Sequence, residues 1–326
     1  MIIRQNKEVI GVFKNSTPIA RIYKGNNLIF GTKTEEPNDV LEFEFTGTSV
    51  TFRMNSTKYT ATTSPYKTTL AELGISEWTS ANYMFNVQPN ITSIVSIPDT
   101  SNVTTMEDMF YDCKNLTSLD VSSFNTSNVT NMYGMFYKCG GLTSIDVSNF
   151  NTSNVTTMRL MFYDCSKLTS LDVSSFNTSN VTNMSHMFDD CAALTSLNLS
   201  NFDTSNVTTM EEMFGYCNYI KELDLSNFDT SKVTNTNYLF YRCYNLQQLK
   251  WNNLGNGSGY TALSFSDSSK LGDGYEDDLK NTFVNNSFDR ASAGYRTLTI
   301  TLHENLKARF SDTDIATMSA KGITIA

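Results

Sequence analysis

The residues of this chain best equipped for chemistry are six cysteines, Cys113, Cys139, Cys165, Cys191, Cys217 and Cys243, each 26 residues after the last. Thiols so placed could form disulfides, hold a soft metal or fill a core. A metal needs ligands that converge on one point, and one thiol per repeat copy does not converge. A disulfide needs Cα atoms within about 7 Å of each other. The sequence around each cysteine reads as the end of a short helix, and neighbouring helices pack roughly 8–10 Å apart, too far to bridge. The six thiols are therefore expected to be free, buried fillers that close a turn.

Other chemical candidates are sparse. The chain has two histidines. His186 takes a repeat position filled elsewhere by Asp108, Gly134, Leu160 and Glu212, and is expected to be solvated. His303 falls near the C-terminus. Neither lies beside a nucleophile or in metal-ligand spacing. No glycine-rich phosphate loop follows a strand, and the acidic stretch from Asp273 to Asp278 lacks calcium-loop spacing. The methionine pairs, Met106/Met109 through Met210/Met213, keep company with Phe at helical spacing and read as core. No catalytic residue, metal or cofactor is expected, and the chain reads as a non-enzyme.

The spacing itself is the stronger signal. A fixed 26-residue period means one supersecondary unit copied and stacked. In one copy the apolar positions are Val129, Met132, Met135, Phe136, Cys139 and Leu142, and steps of three and four predict one face of a short helix. Leu142, Ile145 and Val147 then follow the L-x-x-L-x-V pattern of a leucine-rich-repeat strand. Thr104 with Glu107, and Thr208 with Glu211, fit capping boxes at the helix starts. A lone copy buries too little to fold, so the ends must be covered. The predicted fold is an α/β solenoid of leucine-rich-repeat type, one short strand and one short helix per coil.

Five segments follow. Residues 1–33 read as a small β module and residues 34–70 as a linker and hairpin. Residues 71–98 read as a degenerate capping repeat, in which Ile94 aligns with Leu119 at an offset of 25. Residues 99–254 form the solenoid. Residues 255–326 form a C-terminal cap that opens on a flexible loop (Gly255, Gly257, Gly259). In it a helix at 276–284, a strand at 297–302, a helix capped by Ser311 and a strand at 323–325 are predicted.

In the strand pattern the residue between the last two apolar positions points outward. That position holds Asp120, Asp146, Asp172, Asn198, Asp224 and Lys250, flanked by serines. Stacked carboxylates about 5 Å apart repel, which costs stability. The acidic row from Asp120 to Asp224 is the candidate ligand-binding face, suited to a cationic or sugar-like partner; the alternative is that recently duplicated copies carry aspartates that only solvate the face. Exchanging Asp146 and Asp172 for Asn is expected to raise stability.

Charge agrees with a binding role away from anions. Residues 99–250 carry sixteen acidic and eight basic side chains, whereas residues 1–33 carry six basic ones against Glu8. Such a face repels nucleic acid and anionic membrane. No run of 18 apolar residues occurs, and the first residues turn charged at Arg4, so neither membrane insertion nor Sec export of this chain is expected.

The units of residues 109–246, Met-Phe-x-x-Cys-x-x-Leu-x-x-Leu-Asp-Val-Ser-x-Phe-x-Thr-Ser-x-Val-Thr, resemble the repeats of BspA-like leucine-rich-repeat surface proteins. The C-terminal stretch from Ser311 to Thr324 also looks like an end cap of such proteins. The resemblance implies a bacterial or phage adhesion or interaction protein that meets a protein or glycan on a cell surface. The short segment Ile22–Ile29 resembles β segments that open structural proteins of gut bacteriophages. That likeness implies a virion-surface setting with assembly docking through residues 1–33. A bacterial surface adhesin is the second reading, and a glycan-active enzyme with two opposed carboxylates the third.

Overall fold

The computed structural model describes residues 100–326 throughout and, before them, the backbone of nine strands. Eight of these nine join one sheet. They are β1 (Ile2–Gln5), β2 (Glu8–Lys14), β3 (Thr17–Pro18), β4 (Ile22–Lys24), β5 (Asn27–Phe30), β6 (Leu41–Thr46), β7 (Ser49–Met54) and β8 (Thr57–Tyr59). The order is β5-β4-β2-β1-β6-β7-β8, with β3 pairing β2. β6 and β7 form the expected hairpin, Leu41 opposite Met54. β1 runs parallel to β6, with Ile2 opposite Glu42. The segments read as 1–33 and as a hairpin thus share a sheet. The linker that opens residues 34–70 lies outside the described residues, as does most of 71–98. Within the latter, β9 (Ser93–Ile94) pairs parallel with β10 (Ser118–Leu119), Ile94 opposite Leu119.

From residue 100 onward, 26-residue copies stack in parallel register. Bridges run Thr105–Asn131–Thr157–Asn183–Thr209–Asn235, one residue per copy. The expected helix in each copy is absent. In its place stands a run of turns whose amide hydrogens alternate between two kinds of acceptor. Asp108, Phe110 and Asp112 donate to Tyr133, Met135 and Tyr137 of the next copy, while Met109, Tyr111 and Cys113 donate three residues back within their own copy. An α-helix would spend all these donors internally. Here half of them knit neighbours together. The geometry needs left-handed backbone twice per copy. Positions 108, 134, 160, 186, 212 and 238 have φ of 49–60°, whether Asp, Gly, Leu, His, Glu or Tyr. For the non-glycine residues that conformation costs about 1–2 kcal/mol each, and the inter-copy bonds offset it.

The capping boxes are corrected with the helix. The hydroxyl of Thr208 donates to the carbonyl of Thr182, and that of Thr130 to Thr104, so these threonines tie copies together. At another corner, buried Thr126 donates its hydroxyl to the Asn151 carbonyl and accepts from the Asn151 amide.

Regular strands are shorter than the leucine-rich pattern suggests. After β10 they are β11 (Glu222–Asp224) and β12 (Gln248–Lys250), paired parallel with Leu223 opposite Leu249. The Leu-x-x-Leu-x-Val side chains are buried in every copy all the same.

The core is two phenylalanine stacks plus the methionines and thiols. Rings of Phe110, Phe136, Phe162, Phe188, Phe214 and Phe240 follow one another at 5.4–6.0 Å. Phe124, Phe150 and Phe176 repeat this at 6.1 and 6.4 Å. The copies are therefore far closer than packed helices, and the separation used to argue against disulfides does not apply. None of the six cysteines is in a disulfide. From Cys139 onward each Sγ donates to the carbonyl of a preceding-copy phenylalanine at 3.1–3.3 Å, as Cys139 does to Phe110. Burial pushes these thiols up, away from the reactive thiolate.

Stacking continues past residue 254. Phe265 stacks on Phe240 at 4.9 Å, and β13 (Ala262–Phe265) pairs with β14 (Leu298–Leu302), which pairs with β15 (Ile323–Ile325). Phe283 and Phe310 then turn edge-on and close the stack. Around them lie α1 (Glu276–Lys280), a π-helical turn (Asn281–Asn285), α2 (Glu304–Lys307) and α3 (Asp312–Ala320), the last with Ser311 and Asp314 in a capping box.

The glycine loop is not loose. Arg290, with no exposed surface, reaches through it. Its Nη1 donates to the carbonyls of Gly255 and Gly257 at 2.5 and 2.6 Å, its Nη2 to Tyr260 at 3.0 Å and its Nε to Arg296 at 2.8 Å. A Cβ on Gly257 would sit 2.2 Å from the Tyr260 ring, so the glycine there is set by close approach.

Candidate functional site

Asp120, Asp146, Asp172, Asn198 and Asp224 form one exposed row, as expected. Each side-chain oxygen accepts from the backbone amide two residues on. The partners are Ser122, Ser148, Ser174, Ser200 and Ser226, at 2.9–3.1 Å. These are Asx turns, and Asn198 serves because the turn needs an acceptor and not a charge. Hydrogen bonds from Ser122, Ser148 and Ser174 hold the carboxyls of Asp120, Asp146 and Asp172 below the ordinary value. Repulsion from Asp146 opposes this at Asp120 and Asp172 but is smaller. Asn at 146 and 172 would keep the turn acceptor, as Asn198 does, and remove only that smaller repulsion, so the stability gain expected from the exchange is small.

The turn run builds a second surface that the sequence reading passed over. Tyr111, Tyr137 and Tyr163 stack face to face at 4.5 and 4.7 Å. The next two copies put Asp189 and Gly215 at that position, and Tyr241 resumes it. Tyr241 meets Tyr216 and Tyr238 edge-on at 5.2 and 5.6 Å, and the Arg242 guanidinium lies over Tyr216 and Tyr241 at 5.1 and 5.2 Å. Tyr219, Tyr238 and Tyr244 are exposed. Beside them a cavity of about 310 Å³ is lined by Asn237, Tyr238, Tyr241, Ser264, Ser266 and Asp267, among others. Asp267 is the one carboxylate of its lining.

In the gap of the tyrosine row, His186 is not solvated. Its side chain is 18% exposed, and its Nδ1 lies 2.9 Å from Asp189 Oδ2 and 3.8 Å from Glu212 Oε2. Burial and the neighbouring Asp189 raise the Glu212 carboxyl, against a pull downward from His186. Part of the signal for this cluster was in the sequence, where Asp189 and Gly215 break the tyrosine position. His186 and Glu212 gave none, because their position varies in every copy and they look unrelated along the chain.

A related carboxylate sits at the other end of the stack. Asp108 is buried, and its Oδ1 has no donor. A Cβ on Gly134 would fall 2.0 Å from that oxygen, so Gly134 is needed for space as well as for its φ of 55°. Burial, then Glu107, pushes the Asp108 carboxyl up to about 6. The folded state therefore binds this proton more tightly than the unfolded chain. The penalty of the charge is absent below the ordinary value of 3.8 and complete above about 6. Stability from this group falls as pH rises between those limits. Asp108→Asn is expected to raise Tm by a few degrees at pH 7 and to leave it unchanged below pH 4. Melting curves of both proteins across that range decide, and a pH-independent difference contradicts the assignment.

A family profile described as Mycoplasma protein of unknown function, DUF285, matches residues 79–171 and again residues 167–267, more than half of the chain. The chain belongs to the DUF285 family. No curated protein and no solved structure matches it. The double DUF285 match agrees with the BspA-like repeat reading of residues 109–246 and reaches past residue 254, as the stacking does. The DUF285 regions stop short of the strands at residues 2–59, so the phage likeness of residues 22–29 draws no support from them. Among the described residues no helix is long and apolar enough to cross a membrane.

Proposed function

We propose that this DUF285 protein is a non-catalytic binding protein of the cell-surface type. Its copies form a leucine-rich-repeat-like solenoid that displays a tyrosine-rich face to a protein or glycan. The observation that carries the reading is the tyrosine cluster at Tyr216, Tyr238 and Tyr241 beside the cavity at residues 236–267. The faces of Tyr111, Tyr137 and Tyr163 are consumed by stacking on each other. At the later copies the rings meet edge-on, Arg242 lies over Tyr216 and Tyr241, and Tyr238 is left exposed to solvent. An aromatic face gives contact area at low entropy cost, and Asn237, Ser264, Ser266 and Asp267 add hydrogen-bonding groups. A cavity with a single carboxylate lends itself less to glycoside hydrolysis, which needs two. Residues 1–33 would serve as the attachment to a larger assembly, on a virion or on a cell envelope.

Binding of the chain to intact gut bacteria and to arrayed bacterial glycans tests this. Exchanging Tyr238 and Tyr241 together for Ala is expected to reduce binding at least about tenfold, the loss of two aromatic anchors. Exchanging Asp146 and Asp172 for Asn is expected to leave it unchanged. The opposite pattern would return the binding role to the acidic row. Equal binding by all three proteins would remove both faces from consideration.

A further inference from the structure

We propose that His186, Asp189 and Glu212 form a binding site for a divalent transition-metal ion such as zinc, set in the gap of the tyrosine row. The three side chains come from two adjacent copies and bring ligand atoms within 4.8 Å of one another. Ligands held at about 2.0–2.1 Å around a tetrahedral zinc lie roughly 3.3 Å apart. The separations of 2.9 and 3.8 Å from His186 Nδ1 to the two carboxylates bracket that value.

A second observation points to a cation. The Asp189 carboxylate is 3% exposed; Oδ2 faces His186, and Oδ1 has no hydrogen-bond donor. An imidazolium offers one proton at Nδ1 and can satisfy one of two carboxylates. It leaves the second oxygen of Asp189 without a partner in a buried place, while the Glu212 side chain, 25% exposed, still reaches solvent. A metal ion on the same spot engages all three groups at once, with Nδ1 of neutral His186 as the nitrogen ligand. Space is made by the repeat itself. Tyrosine gives way to Asp189 in this copy, and the following copy has Gly215, whose missing Cβ would lie 2.8 Å from Asp189 Oδ1. The two breaks in the tyrosine row, Asp189 and Gly215, meet His186 and Glu212, which occupy a position that varies from copy to copy. The site has open positions for water or an incoming oxygen ligand, because three protein ligands do not fill a tetrahedron.

The test uses the full chain, dialysed against chelator and then titrated with zinc alone by calorimetry, with cobalt as a spectroscopic probe. One ion per folded chain is expected, with a cobalt spectrum of nitrogen and oxygen ligands and no sulfur charge-transfer band. His186→Asn and Glu212→Gln, both tolerant of the local backbone, are expected to weaken binding at least about tenfold each. Asp164→Asn, one copy away, is expected to have no effect. Absence of zinc binding by the folded chain would overturn the proposal. So would binding that survives both exchanges, or a thiolate band showing capture by the cysteines. Loss of zinc with intact cell binding separates this site from the tyrosine face.

Discussion

Replacing Arg290 with methionine is expected to cost about 3–5 kcal/mol and to unlatch the C-terminal end of the stack. Among the described residues the guanidinium has no carboxylate partner. Its charge is met by four backbone carbonyls, those of Gly255, Gly257, Tyr260 and Arg296, and by the rings of Tyr260 and Tyr295 at 5.7 and 5.6 Å. Methionine fills the volume but donates nothing, so those carbonyls lose their donor at once. Each buried polar group left unmade costs about 1–3 kcal/mol, and the sum is reduced by water entering the loop. Lysine is expected to rescue little, because one ammonium cannot span four acceptors placed for a planar fork. At about 2–4 °C per kcal/mol the transition of this end should fall by on the order of 10 °C. Hydrogen exchange locates the effect: amides of residues 255–326 should exchange faster while those of residues 130–215 keep their protection. A Tm within about 2 °C of the parent would mean the clamp is dispensable.

Phe162→Ala is the second large effect, about 3–5 kcal/mol. The ring has no exposed surface and lies between Phe136 at 5.4 Å and Phe188 at 6.0 Å. Its removal leaves a hole in the middle of the stack, where neighbours are held by hydrogen bonds to the copies on both sides and cannot close in. Because each copy touches only its neighbours, the damage should divide the molecule. Denaturation is then expected in two steps, against a single step expected for the parent. Leucine at the same position should restore part of the loss. A single unshifted transition would show that the stacked rings contribute little beyond filling space.

Reading the sequence located the repeat and the buried side of each copy, because those depend on period and on burial alone. The 26-residue spacing, the Leu-x-x-Leu-x-Val core, the pairing of Ile94 with Leu119 and the cap around Ser311 all follow from which side chains must leave water. The spacing of Val129, Met132, Met135, Phe136 and Cys139 was misread as helix for a definite reason. A helix and a train of turns both return a side chain to one face every three or four residues. Backbone hydrogen bonding separates them, and those bonds go to another copy. The left-handed residues were hidden likewise, since Leu160, Glu212 and Tyr238 are not types that announce positive φ. The stack imposes that conformation from outside. For the same reason only the tertiary structure could set His186 against Asp189 and Glu212, or send Arg290 through a glycine loop 35 residues away. Composition and period decide what is buried; register between copies decides which groups meet.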